Sequence, residues 1–377
     1  MGVVQSGRVK EWAHEVGFDL VGIAPAVPMP EAERAALKWV RSGMSAGMSW
    51  ITEERTRLSC DPTRLLPGAR SVIVLGMYYL SAADPTACSG GEPRGRIARY
   101  AWGEDYHGLF PPMMKRLLDL VAGATGRRPV ARLFGDSGPL AEKALAGRCG
   151  VGWYGKNGCV LTPGYGSWVL LAEIVTDLDL EPDPPLERDC GRCRLCIEGC
   201  PTGAIVAPHV VDSRRCISYL TIEHRGAIPL ELRSSMGDRV FGCDLCQEVC
   251  PHNRLASPRA DPVLGLGSDP SGRPALAPLL ELDAEGFRML FRRSPISRPK
   301  RRGFLRNVAV ALGNARDPAA VGALARAMED EEPLVRSHAA WALGEIGGRM
   351  ARASLERALA RECDEAVRRE IRSALEK

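Results

Sequence analysis

Apolar positions recur at helical spacing over residues 9–16. They give way to the compact run Phe18-Asp19-Leu20-Val21-Gly22-Ile23-Ala24, so the pattern predicts a helix followed by a short strand. A second helix is expected over residues 30–43, where Pro30 and two acidic residues mark its start. Residues 71–80 and 168–175 are almost uniformly apolar and short, as buried strands are. The Gly-, Pro- and Ser-rich residues 81–95 predict a surface loop. Strands and helices therefore alternate through residue 185 or so, which favours a layered α/β domain. A proline-rich linker follows at 179–187. From about residue 290 the pattern is helical only. Leu305-Arg306-Asn307-Val308-Ala309-Val310-Ala311-Leu312-Gly313 is echoed at residues 335–344 and again at 367–375. Leu312, Leu343 and Leu375 mark a period of just over thirty residues, and Pro318 and Pro333 sit in the preceding turns. Helix pairs at this period are similar to HEAT-type repeats, each burying its apolar face on the next.

Composition adds limits. The chain has 377 residues, 45% hydrophobic and 25% charged, with a net charge of +4. That is long enough for two or three domains with a sizeable core. No apolar run approaches the length of a membrane span. There is no signal peptide or twin-arginine leader. Met1-Gly2-Val3-Val4-Gln5-Ser6 meets the minimal myristoylation pattern, but nothing else points to lipidation. The expectation is a soluble, cytoplasmic monomer. The thirteen cysteines stand out. They are too sparse for a disulfide scaffold, and eight fall in one window from Cys190 to Cys250, which points to metal in a reducing compartment.

Cys190-x2-Cys193-x2-Cys196-x3-Cys200-Pro201 is a bacterial ferredoxin run. Three thiolates at this spacing wrap one [4Fe–4S] cube, and the fourth ligates the other cluster of a pair. A second half, Cys243-x2-Cys246-x3-Cys250-Pro251, lacks one upstream cysteine, and Cys216 is the spare. Crossing then assigns Cys190, Cys193, Cys196 and Cys250 to one cluster. Cys200, Cys216, Cys243 and Cys246 fall to the other. Zinc is the rival occupant, although its motifs rarely use this run. Cys60, Cys88, Cys149, Cys159 and Cys363 take no part and are expected as small core or surface residues.

Three upstream stretches are dense in glycine, aromatic and polar residues: 98–107, 134–143 and 150–158, with 164–168 just after the last. Their glycines serve either ordinary turns or close backbone approach to a large flat ligand. Asp136 lies in Gly135-Asp136-Ser137-Gly138-Pro139. It either bonds its own turn or, in an apolar site, becomes a proton donor. His107 is equally open between a structural role and a ligand role. The corrinoid Asp-x-His-x-x-Gly motif is not supported, because Phe110 stands at its glycine.

Taken together, Asp105-Tyr106-His107, the Asp136 turn, Gly152-Trp153-x-Gly155-Lys156, Gly166-Ser167-Trp168 and residues 211–223 resemble the epoxyqueuosine reductase family over nearly the whole chain. The resemblance implies a multidomain α+β fold. Residues 1–185 would form an α/β cobalamin-binding catalytic domain similar to reductive dehalogenases. Residues 186–285 would form a ferredoxin-like domain with two [4Fe–4S] clusters, and residues 286–377 a basic segment with HEAT-like helical repeats. It implies reduction of the epoxide on a modified tRNA wobble base to an alkene, with cobalamin fed by the clusters and an electron donor the sequence does not identify. Asp136 would be the proton donor. Arg57, Arg99, Tyr106, Asp136, Lys156, Ser167 and Ser218 would be cobalamin-binding candidates.

Residues 286–306 carry eight positive charges and no acidic residue. Such a run is either a solvated linker or a phosphate-binding surface, with Phe287, Phe291 and Phe304 placed to contact unstacked bases. On the resemblance, Arg298, Lys300, Arg301 and Arg302 would grip the tRNA anticodon stem-loop. Two other readings stay open: a corrinoid iron–sulfur dehalogenase acting on a small molecule, and a non-catalytic electron-transfer or interaction protein.

Overall fold

The computed structural model describes residues 4–82, 91–259 and 272–377. Most of the expected 81–95 loop, Cys88 and the first three residues of the myristoylation pattern lie outside the described residues. The N-terminal part is built on strands β1 (Leu20–Pro25), β2 (Ser71–Tyr78), β3 (Ala131–Phe134) and β4 (Val169–Thr176), in the order β1-β2-β4-β3. All three pairings are antiparallel. Alternating strands and helices had left strand direction open, and the sheet settles it.

Period-two alternation sends Ile73, Leu75 and Met77 of β2 to one face and Val72 and Val74 to the other. Helices α1 (Ser6–Glu15) and α3 (Tyr106–Thr125) bury Val9, Trp12, Phe110, Met114, Leu117 and Val121 on the first face. Helix α4 (Glu142–Arg148) buries Leu145 and Ala146 on the second. The expected helix over 30–43 is present as α2 (Pro30–Arg41), with proline at its first position. The apolar pattern does not announce α3, because Pro111 and Pro112 interrupt it, nor the four-residue β3.

The C-terminal echoes are helices α5 (Lys300–Ala315), α7 (Pro333–Ile346) and α9 (Glu365–Leu375), with α6 (Val321–Ala327) and α8 (Gly348–Arg361) between them. The glycine ending each of the first two echoes has a packing reason. A Cβ on Gly313 would lie 2.9 Å from Ala342 Cα, and one on Gly344 2.8 Å from Ala374 Cβ. Glycine therefore lets α5, α7 and α9 pack backbone to backbone. One apolar core joins these helices to the cluster region, running through Leu220, Met236, Phe241, Leu276, Phe304, Leu343 and Ile371.

Candidate functional site

Asp136 follows β3 with φ +60°, a left-handed conformation that a non-glycine residue adopts only when neighbours hold it there. Its carboxylate is 62% exposed. Tyr106, buried at the start of α3, donates its hydroxyl to Asp136 Oδ2 at 2.5 Å. Burial and the Asp136 charge push the Tyr106 phenol far above its ordinary range, so it acts as a donor only. His107 Nε2 lies 3.7 Å from the same oxygen, and its Nδ1 is 2.6 Å from Asp105 Oδ1. That bond to Asp105 raises the His107 pKa. Asp105 also caps α3 by accepting from the His107 amide at 3.0 Å. His107 thus belongs to the Asp136 site, a role its isolated position in the sequence did not disclose.

Behind Asp136 lie two further acids. Glu142 Oε1 accepts from the Asp136 amide at 2.7 Å. Glu173, on the α4 side of β4, has no exposure. Burial, then the Asp136 charge, pushes Glu142 up to about 7, and burial with Glu142 opposite pushes Glu173 well above the carboxylate range. Lys143, adjoining both Glu142 and Asp136, donates to the Gly158 carbonyl at 2.8 Å. Neither glutamate was singled out from sequence, since both sit in ordinary helix and strand patterns.

The cysteines form two groups. Cys190, Cys193, Cys196 and Cys250 line one hollow together with Lys156, Asn157 and His252. Cys216 lies close to Cys200, Cys243 and Cys246. Burial raises Cys216 and pushes Cys243 up to about 12, so metal loading would have to displace thiol protons. The first group joins the two halves of the cysteine window, and two groups of four thiols would suit two cubane clusters. The short helices Leu195–Glu198 and Leu245–Glu248, one from each half, pack on each other between them. Cys159 adjoins Cys246. Cys60 and Cys149 are buried and Cys363 is exposed.

The other candidates scatter. Arg99 stacks between Trp102 and Trp168, with its guanidinium carbon 5.0 and 5.6 Å from the ring centroids, and lines a hollow reaching Cys243. Lys156 donates to the carbonyls of Gly191 and Cys193 at 2.5 and 2.9 Å, beside the first cysteine group. Ser167 is buried and bonds Gln247 and Asn253. The Ser218 amide lies beside Cys216. Arg57 pairs with Glu53 at 2.6 Å. Glycines 152 and 166 do not open onto a ligand. A Cβ on Gly152 would overlap the Leu161 carbonyl oxygen, and one on Gly166 the Asn253 side chain, so both are packing glycines.

The basic segment is also corrected. Phe287, Phe291 and Phe304 are buried against one another, with centroids 5.0–5.8 Å apart, and cannot meet a base. Arg306 has no exposure and donates to the carbonyls of Leu220, His224 and Gly226. Arg301 is held by Asp330 at 2.5 Å. Arg298 pairs with Glu223 at 2.6 Å, and its charge acts on Asp136 and Tyr106. Among the described residues, Arg292, Lys300 and Arg302 are exposed and have no ion-pair partner.

Known proteins share this architecture. Family models match residues 60–137 (Epoxyqueuosine reductase QueG), 189–253 (4Fe-4S double cluster binding domain) and 302–376 (HEAT repeats). The epoxyqueuosine reductase of Alicycliphilus denitrificans is 41% identical, covering 90% of this chain and 97% of its own. That of Escherichia coli K12 is 38% identical over 90% and 88%. A crystal structure of epoxyqueuosine reductase with an epoxyqueuosine-modified tRNA-Tyr stem loop superposes with a TM-score of 0.91 at 33% identity, covering 98% of this chain and 97% of that one. One from Bacillus subtilis, with its catalytic aspartate loop swung out of the active site, gives 0.90 at 34%, covering 98% of both.

Proposed function

Because this chain belongs to the epoxyqueuosine reductase family, we propose that it reduces epoxyqueuosine to queuosine at the tRNA wobble position, with Asp136 as proton donor. The placement of Asp136 carries this reading. It is an exposed carboxyl on a strained turn, gripped by the Tyr106 hydroxyl and faced by His107. The catalytic aspartate loop of the Bacillus subtilis relative supports assigning the same role to the Asp136 turn.

The overall change is epoxide plus two electrons and two protons to alkene plus water. One C–O bond opens and the oxygen then leaves, so the oxygen must be protonated as negative charge develops on it. Asp136 is placed to give that proton. Tyr106 fixes one carboxyl oxygen, and His107, oriented by Asp105, stands where it can return a proton to Asp136. Eight cysteines in two groups suit an electron relay to this site from a donor of unidentified class. Bound cobalamin would supply a strongly reducing cobalt centre for the epoxide. The residues fit such a group. The half-exposed Tyr154 ring offers a flat surface to an amide-fringed macrocycle, and the exposed Asp136 carboxylate, held by Tyr106, offers a polar contact. Phe110 stands at the glycine of the corrinoid histidine motif, so His107 is not assigned as a cobalt ligand. Arg57, Lys156 and Ser167 spend their polar groups on protein partners and are weaker candidates. Arg99, beside Asp244 and Cys243, would act between the clusters and the site.

A tRNA anticodon stem-loop would be the substrate, held near Lys300 and Arg302, with Arg298 reaching toward Asp136. No helix among the described residues is long and apolar enough to cross a membrane. A cytoplasmic monomer fits a tRNA substrate. Residues 1–185, 186–285 and 286–377 would carry chemistry, electron relay and RNA contact respectively.

The test is an anaerobic preparation, with bound cobalamin read by absorbance and turnover assayed on epoxyqueuosine-containing tRNA with a strong reductant. Asp136→Asn should keep cobalamin and both clusters and lose about a hundredfold or more in kcat, the usual range for a general acid. Near-normal turnover would remove Asp136 from the mechanism.

A further inference from the structure

We propose that Glu142, backed by Glu173, is the positioning residue of the Asp136 turn: its carboxylate holds the Asp136 amide and keeps the proton-donating side chain facing the site. The inference rests on the reading of Asp136 given above. A left-handed aspartate is costly unless its surroundings fix it. Two contacts do so here, Tyr106 on the side chain and Glu142 on the backbone amide at 2.7 Å. Glu142 opens helix α4, one residue after the Gly135–Ala141 segment ends, so the helix anchors the turn directly.

Glu173 explains why Glu142 stays in place. It lies on a core strand with no exposure, both of its carboxyl oxygens lack a hydrogen-bond donor among the described residues, and the group it faces is Glu142. A hydrophobic side chain at that position would avoid burying an acid. A fully buried carboxyl that lacks a donor and faces a second carboxyl does not stay charged, so Glu173 carries the proton. The O–H of Glu173 then donates to Glu142, leaving Glu142 charged and aimed at the Asp136 amide. The charged groups facing Glu142 are Asp136, Lys143 and Glu173. Glu173 faces Glu142 and Asp136, with Cys149 nearby.

The test uses the holoenzyme and two readouts. In Glu142→Ala, hydrogen exchange at the Asp136 amide should accelerate about tenfold or more, and kcat should fall by a similar factor. KM for the tRNA stem-loop and the cluster and cobalamin absorbance should not change. Glu142→Gln retains an acceptor oxygen and should restore both slow exchange and most of kcat. Unchanged exchange at Asp136 in Glu142→Ala would overturn the proposal, as would a kcat loss that Glu142→Gln does not repair. Should Glu142→Ala fail to fold, Glu173→Leu answers the same question, because it should loosen Asp136 by exchange while Glu173→Gln should not. The exchange arm stands without turnover, so a failure of the enzymatic reading appears separately, as an inactive wild type with a protected Asp136 amide.

Discussion

His338, on α7, has no exposure, and both of its ring nitrogens are used. Nδ1 faces the Leu334 carbonyl at 2.8 Å, and Nε2 accepts from the Ile228 amide at 3.1 Å, which ties the repeats to the cluster region. Only the neutral ring serves both partners. Burial, with Arg233, Arg306 and His224 around it, holds its pKa well below the ordinary 6.5. Below that value the unfolded chain binds a proton that the folded one does not. The His338 contribution is therefore present above about pH 6.5 and lost as pH falls. The thermal midpoint should drop more steeply between pH 7.5 and 5.5 in the wild type than in His338→Gln. Equal slopes would show that the ring does not report acid loss. Arg306 is a second buried group of this kind. Desolvation lowers its pKa to about 9, and five hydrogen bonds to carbonyl oxygens and the Asn307 side chain compensate it.

At the scale of elements, the two cysteine runs each end in a short helix and a Cys-Pro step, and their pairing makes the ligand sets cross. Cys250 lies in the second run in sequence but lines the hollow of Cys190, Cys193 and Cys196. Anaerobic reconstitution should load about eight iron and eight sulfide per chain, the content of two cubanes. Cys250→Ala should lose the same cluster as Cys190→Ala, leaving about four iron, whereas a double variant of the two should lose no more than either alone. Stoichiometric zinc, or additive losses from Cys250→Ala and Cys190→Ala, would contradict the assignment. The repeats follow the same logic of spacing. Their Ala-Leu-Gly endings were visible as echoes because each helix meets its neighbour at the same position, with Gly313 against Ala342 and Gly344 against Ala374.

For the whole molecule, a net charge of +4 hides a basic segment, but the fold decides how much of that segment is available. Arg288 and Arg298 face acidic partners, Arg301 bridges to Asp330, and Arg306 is internal. The double variant Lys300→Glu/Arg302→Glu should therefore weaken tRNA stem-loop binding and flatten its log–log salt dependence by about 2, one for each phosphate that is no longer neutralised. Arg301→Glu should act mainly on thermal stability, since it sets a like charge against Asp330. Unchanged affinity and salt slope in the double variant would exclude this face as the RNA-binding surface. Sequence alone determined what depends on local spacing: the two cysteine runs, the helical period near thirty residues, the main strands and the Asp136 turn. Each is a pattern written along a short stretch of chain. Tertiary structure alone decided which side chains are spent on partners distant in sequence. It buried the three phenylalanines that composition had offered to a base, closed Gly152 and Gly166 against the chain's own atoms, and drew Lys156 and Ser167 into internal bonds. It also brought Tyr106, Glu142 and Glu173 to Asp136 from three separate elements. Burial and hydrogen bonding between remote segments are set by packing, and no local pattern of residue types encodes them.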